Sequence, residues 1–463
     1  MNINGAAALR AAEARLAART RQSGAAFEAS RRVIPGGVTS NIRYAAPHPI
    51  FVREARGGTV WDLDGNAYVD CRLGFGPVLL GHGPEVVTAA VTRALVGGTV
   101  YALPHAGEAE LAEKVVSAVP GAEMVNFCSS GSEATLHAIR LARAYTGRAK
   151  IAKFEGGYHG VHDAVMVSVN HRPELAGPVE APVGTADSAG IPAATVADTV
   201  VLPFNHPAAL DILAARAPEL AAVIVEPVQG AAGSIPAAPA FLEGLRAVTA
   251  RHGVVLIFDE VITGFRHALG GCQAICGVTP DLATFGKAAA AGYPVGLVAG
   301  RRDLLERVGR TGPDAVFMGG TFNGTPSTLA AILATIEELS QPETHRKLFD
   351  LGDYLRRELD AIVARVGLPA QSAGFGSVWL LYFFDGPYSR YEDLLRNDDL
   401  LDNAFRRELV AHRYIFQPLA MKRMYVSAAH DKAILDRALD VMESTLRKVS
   451  GSRVRPARAT ASS

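Results

Sequence analysis

The chain has 463 residues with 46 Lys or Arg and 46 Asp or Glu, so its formal net charge at pH 7 is zero. This length predicts two lobes, or one large α/β domain with a smaller companion, and the balanced charge argues against nucleic acid or a membrane surface as a partner. Four Cys do not make a disulfide scaffold, and neither a signal peptide nor an apolar run of about 18 residues is evident. We expect a cytoplasmic protein without a metal site, because Cys272 and Cys276 have no second pair of ligands.

The N-terminal part of the chain contains one recognisable hairpin. Residues 1–30 are rich in Ala, Arg and Glu and predict a lead-in helix, and residues 31–75 are expected to begin a small domain. In residues 59–70, apolar and polar residues alternate on both sides of Asp64-Gly65, the pair that a type I′ turn prefers. This pattern predicts two antiparallel strands.

From about residue 107 onward, helical stretches alternate with short apolar runs, which is typical of βαβ units. The runs lie at residues 124–128, 151–154, 165–169, 200–202, 222–225, 254–258 and 295–299. They predict an α/β fold whose mostly parallel sheet is covered by helices on both faces, in a large domain over residues 76–326. Residues 171–198 are rich in Pro, Ala and Gly and are expected to form a lid or a substrate loop.

The pattern changes again after this domain. Two helical stretches, a strand over residues 376–382 and a last helix over residues 431–448 predict a smaller α+β domain at residues 327–448. We expect the early hairpin to join this domain. The basic, Ser- and Ala-rich tail, residues 449–463, is expected to be disordered.

An acidic residue and a lysine follow two of the apolar segments. The run at 254–258 ends at Asp259, and ligands of α/β folds bind at the carboxyl ends of such buried strands. Lys287 stands among small and apolar residues, and burial lowers the pKa of an amine. A neutral amine beside a carboxylate suits pyridoxal phosphate, which forms a Schiff base with lysine and pairs its ring nitrogen with an acid. The alternative is a surface lysine and an Asp that caps the next helix.

Two further segments offer groups for a phosphate. Ser130, Gly131 and Ser132 lie between an apolar run and a helix, where hydroxyls and free backbone N–H groups bind anions. An ordinary Ser N-cap is the alternative at this position. Thr321 lies in the turn GGTFNGTP and offers another hydroxyl, unless this turn only closes the large domain.

Two more segments offer groups for a planar ring. Tyr158 stands among glycines in KFEGGYHG, where a ring can approach the backbone and stack on the tyrosine. A core Tyr beside a turn is the alternative. Gln229, in VIVEPVQG, can donate to a phenolate oxygen, unless this segment is a plain strand-to-loop turn.

Together, in this order and at βαβ junctions, these segments resemble the class III aminotransferases that depend on pyridoxal phosphate, and among them the glutamate-1-semialdehyde 2,1-aminomutase branch. The matching segments are IPGGVTSNIR, WDLDGNAYVD, SSGSEAT, AIRLARAYTGR, KFEGGYHG, VIVEPVQG, IFDEVITGFR, PDLATFGK and GGTFNGTP. The resemblance covers roughly residues 30–447. It implies the fold type I of these transferases, with a large sheet domain and a smaller α+β domain, and a homodimer with shared active sites.

The resemblance also implies a role for each residue that contacts the cofactor. Lys287 forms the Schiff base and later moves a proton, and Asp259 pairs with the ring nitrogen. Thr321 reaches the phosphate of the neighbouring subunit. Ser130, Gly131 and Ser132 hold the phosphate, and Tyr158 and Val261 cover the two faces of the ring. Gln229 contacts the phenolic oxygen, and Glu226 lies close by.

Four positions are implied in substrate binding. Arg43 stands where the branch recognises a carboxylate, which suits an arginine fork, although a salt bridge between the lobes explains it equally well. Arg72 adds a positive charge, Phe75 replaces a Trp of the branch, and Lys422 stands near the place of a glutamate of the branch. A reversed charge in a substrate pocket changes which substrate is accepted.

We therefore predict an aminotransferase that moves an amino group between an amino donor and an aldehyde or ketone by a ping-pong mechanism. Candidate substrates are an amino sugar, a β-amino acid or another small amine. The alternative is a 2,1-aminomutase, which needs no second substrate. A decarboxylase, a racemase or a catalytically silent protein of the same fold fits these features less well.

Overall fold

Helices begin the chain and then alternate with strands along most of its length. The structure, a computed structural model, describes residues 3–170 and 172–450. The predicted lead-in helix is two helices, and the last helix reaches residue 450, so that only residues 451–463 of the predicted disordered tail lie outside the described residues. The α-helices are α1 (Ile3–Arg19), α2 (Arg21–Ser30), α3 (Glu85–Val96), α4 (Gly107–Ala118), α5 (Gly131–Thr146), α6 (Ala193–Ala197), α7 (Ala208–Arg216), α8 (Pro239–His252), α9 (Gln273–Cys276), α10 (Arg302–Leu305), α11 (Pro326–Leu339), α12 (Pro342–Val366), α13 (Asp399–Ala411) and α14 (Lys432–Ser450).

The strands form one large sheet and three small ones in the described part of the chain. They are β1 (Val52–Arg56), β2 (Thr59–Asp62), β3 (Ala67–Asp70), β4 (Met124–Cys128), β5 (Lys150–Phe154), β6 (Thr199–Leu202), β7 (Leu220–Val225), β8 (Val228–Gln229), β9 (Ile235–Pro236), β10 (Val255–Asp259), β11 (Leu282–Gly286), β12 (Gly296–Gly300), β13 (Gln371–Phe375), β14 (Val378–Tyr382), β15 (Tyr414–Ile415) and β16 (Met424–Tyr425).

The large sheet has seven strands in the order β4-β12-β11-β10-β7-β5-β6 within the described residues. β12 is antiparallel to both of its neighbours, and the other pairs are parallel. Every residue of β7, β10, β11 and β12 is buried, as expected for strands with helices on both faces. The prediction of a mostly parallel α/β sheet is therefore confirmed.

In the large sheet, one predicted strand is absent and one strand was missed. Residues 165–169 make only an isolated bridge, between Val167 and Ala186, and the ammonium of the buried Lys153 donates to the carbonyl oxygen of Val167. β11 was missed because its sequence LATFG contains only Thr and Phe among residues that favour strands.

The early hairpin is confirmed, but its turn differs from the prediction. β2 and β3 are antiparallel, and β15 pairs with β3, which joins the hairpin to the C-terminal part of the chain. Four residues connect the strands, and Gly65 has φ +83° whereas Asp64 does not have the positive φ that type I′ requires. The carboxylate of Asp62 holds the wider loop, because it accepts from the backbone and side-chain N–H groups of Asn66, both at 2.8 Å.

The pairing of β10 with β11 places two chain segments at the same edge of the sheet. Asp259, the last residue of β10, is opposite Thr284 of β11, and Lys287 follows directly after β11. The domain limits at residues 76–326 and 327–448 stay predictions. Among the described residues, we found no helix with the length and apolar character that crossing a bilayer demands.

The contact between α12 and the turn after β13 allows a test of packing. A methyl group on Gly352 of α12 would lie 2.0 Å from the carbonyl oxygen of Gly376, which is backbone and cannot move aside easily. We expect Gly352→Ala to lower the free energy of unfolding by about 1–3 kcal/mol in urea titrations, because overpacking outweighs the helix propensity of Ala.

Gly244→Ala in α8 is the matched control, because its added methyl group meets the end of the flexible Leu210 side chain. This variant should change the free energy of unfolding much less. Equal stability of Gly352→Ala and the wild-type protein would contradict the packing at this turn.

Candidate active site

An open cavity of about 290 Å³ lies at the edge of the sheet where β10 and β11 end. Helix α5 begins on one side of it, and the segment after β5 lies on another. The cavity brings together eight of the ten residues predicted to bind a cofactor, namely Ser130, Gly131, Ser132, Tyr158, Glu226, Asp259, Val261 and Lys287.

The carboxylate of Asp259 is held in place from two sides. Its Oδ2 lies 2.8 Å from Nδ1 of His159, and its Oδ1 accepts from the backbone N–H of Val261 at 3.0 Å and from the hydroxyl of Thr284 at 3.3 Å. Asp259 and His159 are both buried. The sequence analysis missed His159, although it stands in the segment KFEGGYHG directly after Tyr158.

Lys287 has an amine that is easily made neutral. Burial, and next the positive charge of Arg423, lower its pKa to about 8, although the carboxylates of Asp259 and Glu226 act in the opposite direction. The ammonium of Lys287 makes no hydrogen bond with the residues that the structure describes, so it is free to act in the cavity. Its φ of +45° is a conformation that costs a non-glycine residue about 1–3 kcal/mol, and the fully buried Ala288–Ala290 segment holds it.

The beginning of α5 is both a capped helix and an anion site. The Ser130 hydroxyl accepts from the backbone N–H of Glu133 at 3.2 Å, so the ordinary N-cap is present. The first N–H groups of a helix have no partner inside it, and here they belong to Gly131 and Ser132 on the cavity wall. A methyl group on Gly131 would lie 2.7 Å from Cγ1 of Val261, so only glycine fits between helix and valine. These features fit a phosphate.

The walls for a planar ring are only partly as predicted. Tyr158 and Val261 both line the cavity, and Glu226 accepts from the backbone N–H of Tyr158 at 3.0 Å. Burial raises the pKa of Glu226. Gln229 does not lie on the cavity wall: it is buried, and its side-chain amide donates to the carbonyl oxygen of Glu155. Its orientation follows from this bond, which the sequence could not show.

Thr321 and the predicted substrate residues also lie elsewhere. Thr321 is exposed and outside the cavity. Arg43, Arg72 and Phe75 line a second cavity of about 480 Å³, where the guanidinium of Arg72 lies 4.3 Å from the centre of the Phe75 ring. Arg43 donates to the Thr39 hydroxyl at 2.7 Å and forms no ion pair within the described residues. The alternative interpretation of Arg43 as a salt bridge between the lobes is therefore excluded.

Arg423 brings positive charge close to the Lys287 cavity. Lys422 lines neither cavity, its ammonium lies 3.4 Å from the carbonyl oxygen of Ala231, and burial lowers its pKa to about 8. A methyl group on Gly230 would lie 3.0 Å from Arg423 and 3.1 Å from the carboxylate of Glu226, so these two side chains approach the same point. The sequence analysis missed Arg423 because it weighed only the preceding lysine.

Comparison with known proteins decides the family. A family model described as aminotransferase class-III matches residues 41–378. The chain belongs to the class-III aminotransferases. A glutamate-1-semialdehyde 2,1-aminomutase of Methanothrix thermoacetophila is 40% identical over 422 residues, which are 91% of this chain and 95% of the relative. An omega-transaminase of Sphaerobacter thermophilus has a similar structure, with a TM-score of 0.88, 34% identity, and coverage of 92% of this chain and 97% of that chain.

The family membership confirms the predicted cofactor. A solved transaminase with pyridoxal phosphate bound has a TM-score of 0.85 and 29% identity, and it covers 93% of this chain and 98% of that chain. This class-III aminotransferase is therefore an enzyme that depends on pyridoxal 5′-phosphate. Three features fit pyridoxal phosphate: the free backbone N–H groups at the beginning of α5, the close approach of Gly131 to Val261, and the hydrogen-bonded carboxylate of Asp259.

The lowered pKa of Lys287 makes a measurable difference in reactivity. The neutral amine reacts with acylating reagents, so in the cofactor-free protein we expect half-maximal labelling of Lys287 near pH 8, instead of near the usual pKa of 10.5. Mass spectrometry of peptides after brief labelling at a series of pH values measures this.

Lys432 serves as the internal control. It lies on the surface, and its hydrogen bonds with Tyr354 and Asp436 raise its pKa. Its labelling should therefore need a higher pH. If the two lysines reach half-maximal labelling at the same pH, burial does not lower the pKa of Lys287, which contradicts the structure.

Proposed function

We propose that this class-III aminotransferase moves an amino group within one carboxylate-bearing substrate, as a 2,1-aminomutase of the glutamate-1-semialdehyde type. The main support is the curated relative of that name, which is 40% identical over 91% of this chain. An amino sugar or β-amino acid as the substrate, as the sequence suggested, has less support. The cytoplasmic location stays a prediction.

Each residue of the cavity has a part in this proposal. When bound, pyridoxal phosphate supplies an aldehyde that captures amines and a ring that takes up the electrons of a broken C–H bond. Gly131 and Ser132 would bind the phosphate with backbone N–H groups, and Tyr158 and Val261 would cover the ring faces. Asp259, fixed by His159, would keep the ring nitrogen protonated.

Lys287 would move a proton between the substrate carbon that bears the nitrogen and C4′ of the cofactor. With a pKa of about 8, a substantial fraction of its amine is neutral near that pH and can accept a proton. The ammonium formed in this step would then donate the proton to the other of these two carbons.

Transfer between two separate substrates is the second candidate. Arg423 adds positive charge beside Glu226 and Lys287, which suits an anionic amino donor followed by an anionic acceptor. The relative named omega-transaminase, at 34% identity, supports the same candidate.

A single-substrate assay distinguishes the two candidates. Incubation of the holoenzyme with glutamate-1-semialdehyde alone should produce the isomer whose amino group is on the terminal carbon, over many turnovers. Chromatography of the products measures this, and Lys287→Ala, which lacks the proton carrier, should yield none. If no isomer forms and the amino group is instead found on an added carbonyl compound, the enzyme is an intermolecular aminotransferase.

We also propose a homodimer in which Thr321 reaches the phosphate site of the partner. The loop around it exposes large apolar side chains, since Phe317 is 80% and Phe322 is 64% exposed. Apolar surface of this kind is typical of an interface. The side chain of Asn323 lies 3.4 Å from the Ser129 hydroxyl, so the loop stands at the rim of its own cavity, where a partner can approach.

Mixed dimers test whether Thr321 serves the partner. Lys287→Ala should be inactive because it lacks the amine, and Thr321→Val should be weakly active at limiting cofactor because it lacks a hydrogen bond to phosphate. In a mixed dimer with shared sites, one site is intact and the other has both substitutions. Random mixing should therefore restore about one quarter of the wild-type sites.

Turnover after dissociation and reassociation of the two variants gives the answer. If Thr321 serves its own subunit, every site of the mixed dimer keeps one defect. Mixing then leaves activity at the average of the two single variants, and the proposal of a shared site is wrong.

A further inference from the structure

Tyr425, the last residue of β16, is held against two arginines. It is 1% exposed, and the guanidinium of Arg266 lies over its ring, 4.8 Å from the ring centre. At the end of the tyrosine side chain, the hydroxyl oxygen accepts from Nε of Arg423 at 2.6 Å. A cation over an aromatic face and a hydrogen bond to the hydroxyl together fix how these three side chains lie relative to one another.

Arg266 is the anchor of this group. It is fully buried, and its guanidinium donates to the Ser377 hydroxyl at 2.8 Å and to the carbonyl oxygen of Gly76. Tyr425 contacts the same segment of the chain, because its hydroxyl donates to the carbonyl oxygen of Phe75 at 3.3 Å. A methyl group on Gly76 would lie 3.1 Å from Cζ of the tyrosine. The ring of Tyr425 therefore has little room to move.

Arg423 extends from this group toward the Lys287 cavity. A methyl group on Gly230 would lie 3.0 Å from the guanidinium of Arg423 and 3.1 Å from the carboxylate of Glu226, which lines that cavity. Within the described part of the chain, neither Arg266 nor Arg423 forms an ion pair with a carboxylate. No close contact therefore neutralises the charge of Arg423, and this charge is free to act on the lysine.

The charge of Arg423 acts against two carboxylates. Asp259 and Glu226 line the same cavity as Lys287, and they favour its ammonium form. Arg423 favours the neutral amine, and its effect on the pKa of Lys287 is larger than that of either carboxylate. Arg266 acts in the same direction as Arg423, but less strongly than the carboxylates. The place of Arg423 therefore decides how much of the amine is neutral.

We propose that Tyr425 is a positioning residue of the active site, because its hydroxyl holds the guanidinium of Arg423 where the positive charge favours the neutral amine of Lys287. The ring, fixed on Arg266, supplies a rigid support, and the hydroxyl supplies the contact. The proposal concerns the state of the amine alone. It therefore holds whether the amino group moves within one substrate or between two.

Labelling of the full-length, cofactor-free protein at a series of pH values tests the proposal without any turnover. Tyr425→Phe keeps the ring over Arg266 and removes the hydroxyl. Because a nearby cation disfavours the ammonium, we expect half-maximal labelling of Lys287 to move from near pH 8 to a pH higher by at least about half a unit. Arg423→Gln, which removes the charge itself, should give at least the same shift. Arg423→Lys, which keeps a charge, should give a smaller one.

A double variant and a control distinguish positioning from a general loss of packing. Tyr425→Phe combined with Arg423→Gln should be labelled like Arg423→Gln alone, because the tyrosine acts through the arginine. Tyr68→Phe is the matched control. Tyr68 is also 1% exposed, its hydroxyl donates to Asp62 at 2.9 Å, and it lines neither the Lys287 cavity nor the second cavity. Its loss should leave the labelling of Lys287 unchanged.

Three results would overturn the proposal. The first is an unchanged labelling pH of Lys287 in either Tyr425→Phe or Arg423→Gln, so that a folding defect of one variant still leaves the other as a test. The second is a shift in the double variant that equals the sum of the two single shifts. The third is an equal shift in Tyr68→Phe. A failure of the single-substrate assay would leave all of these measurements unaffected.

Discussion

The parallel pairing of β10 with β11 is the constraint on which the active site depends. It places Asp259 opposite Thr284 and leaves Lys287 just beyond the end of the neighbouring strand. Both strands are buried along their whole length, so their register cannot shift without exposing apolar side chains. A carboxylate and an amine far apart in sequence are thus held at one edge of the sheet, and the beginning of α5 completes the cavity.

Burial gives the cavity its chemistry as well as its shape. Removal from water lowers the pKa of Lys287 to about 8 and raises the pKa of Glu226, so that both groups are closer to neutral than they would be in water. The same effect acts on Lys153 and Lys422, each with a pKa lowered to about 8. A lowered pKa therefore does not identify the reactive lysine. Its place at the end of β11, on the wall of the cavity with Asp259, does so.

The sequence was sufficient for the parts of the structure that follow from local pattern. Apolar runs predicted six of the seven strands that the large sheet has in the described residues, and alternation on both sides of Asp64-Gly65 predicted the hairpin. Strand ends and a helix beginning also predicted eight of the residues that line the Lys287 cavity. Each of these features is encoded within a few residues of the chain.

What could not be predicted depends on contacts between distant segments. The orientation of Gln229 is set by the backbone of Glu155, and the position of Arg43, Arg72 and Phe75 is set by how residues 34–52 fold against α1 and α13. His159 was missed because its partner, Asp259, lies 100 residues away.

Reduction of the purified holoenzyme with borohydride, followed by mass spectrometry of its peptides, tests the central claim most directly. The account predicts that the reduced cofactor is attached to Lys287 alone, in the peptide that follows β11. Attachment to Lys153 or Lys422, whose amines also have a lowered pKa, or no attachment at all, would contradict it.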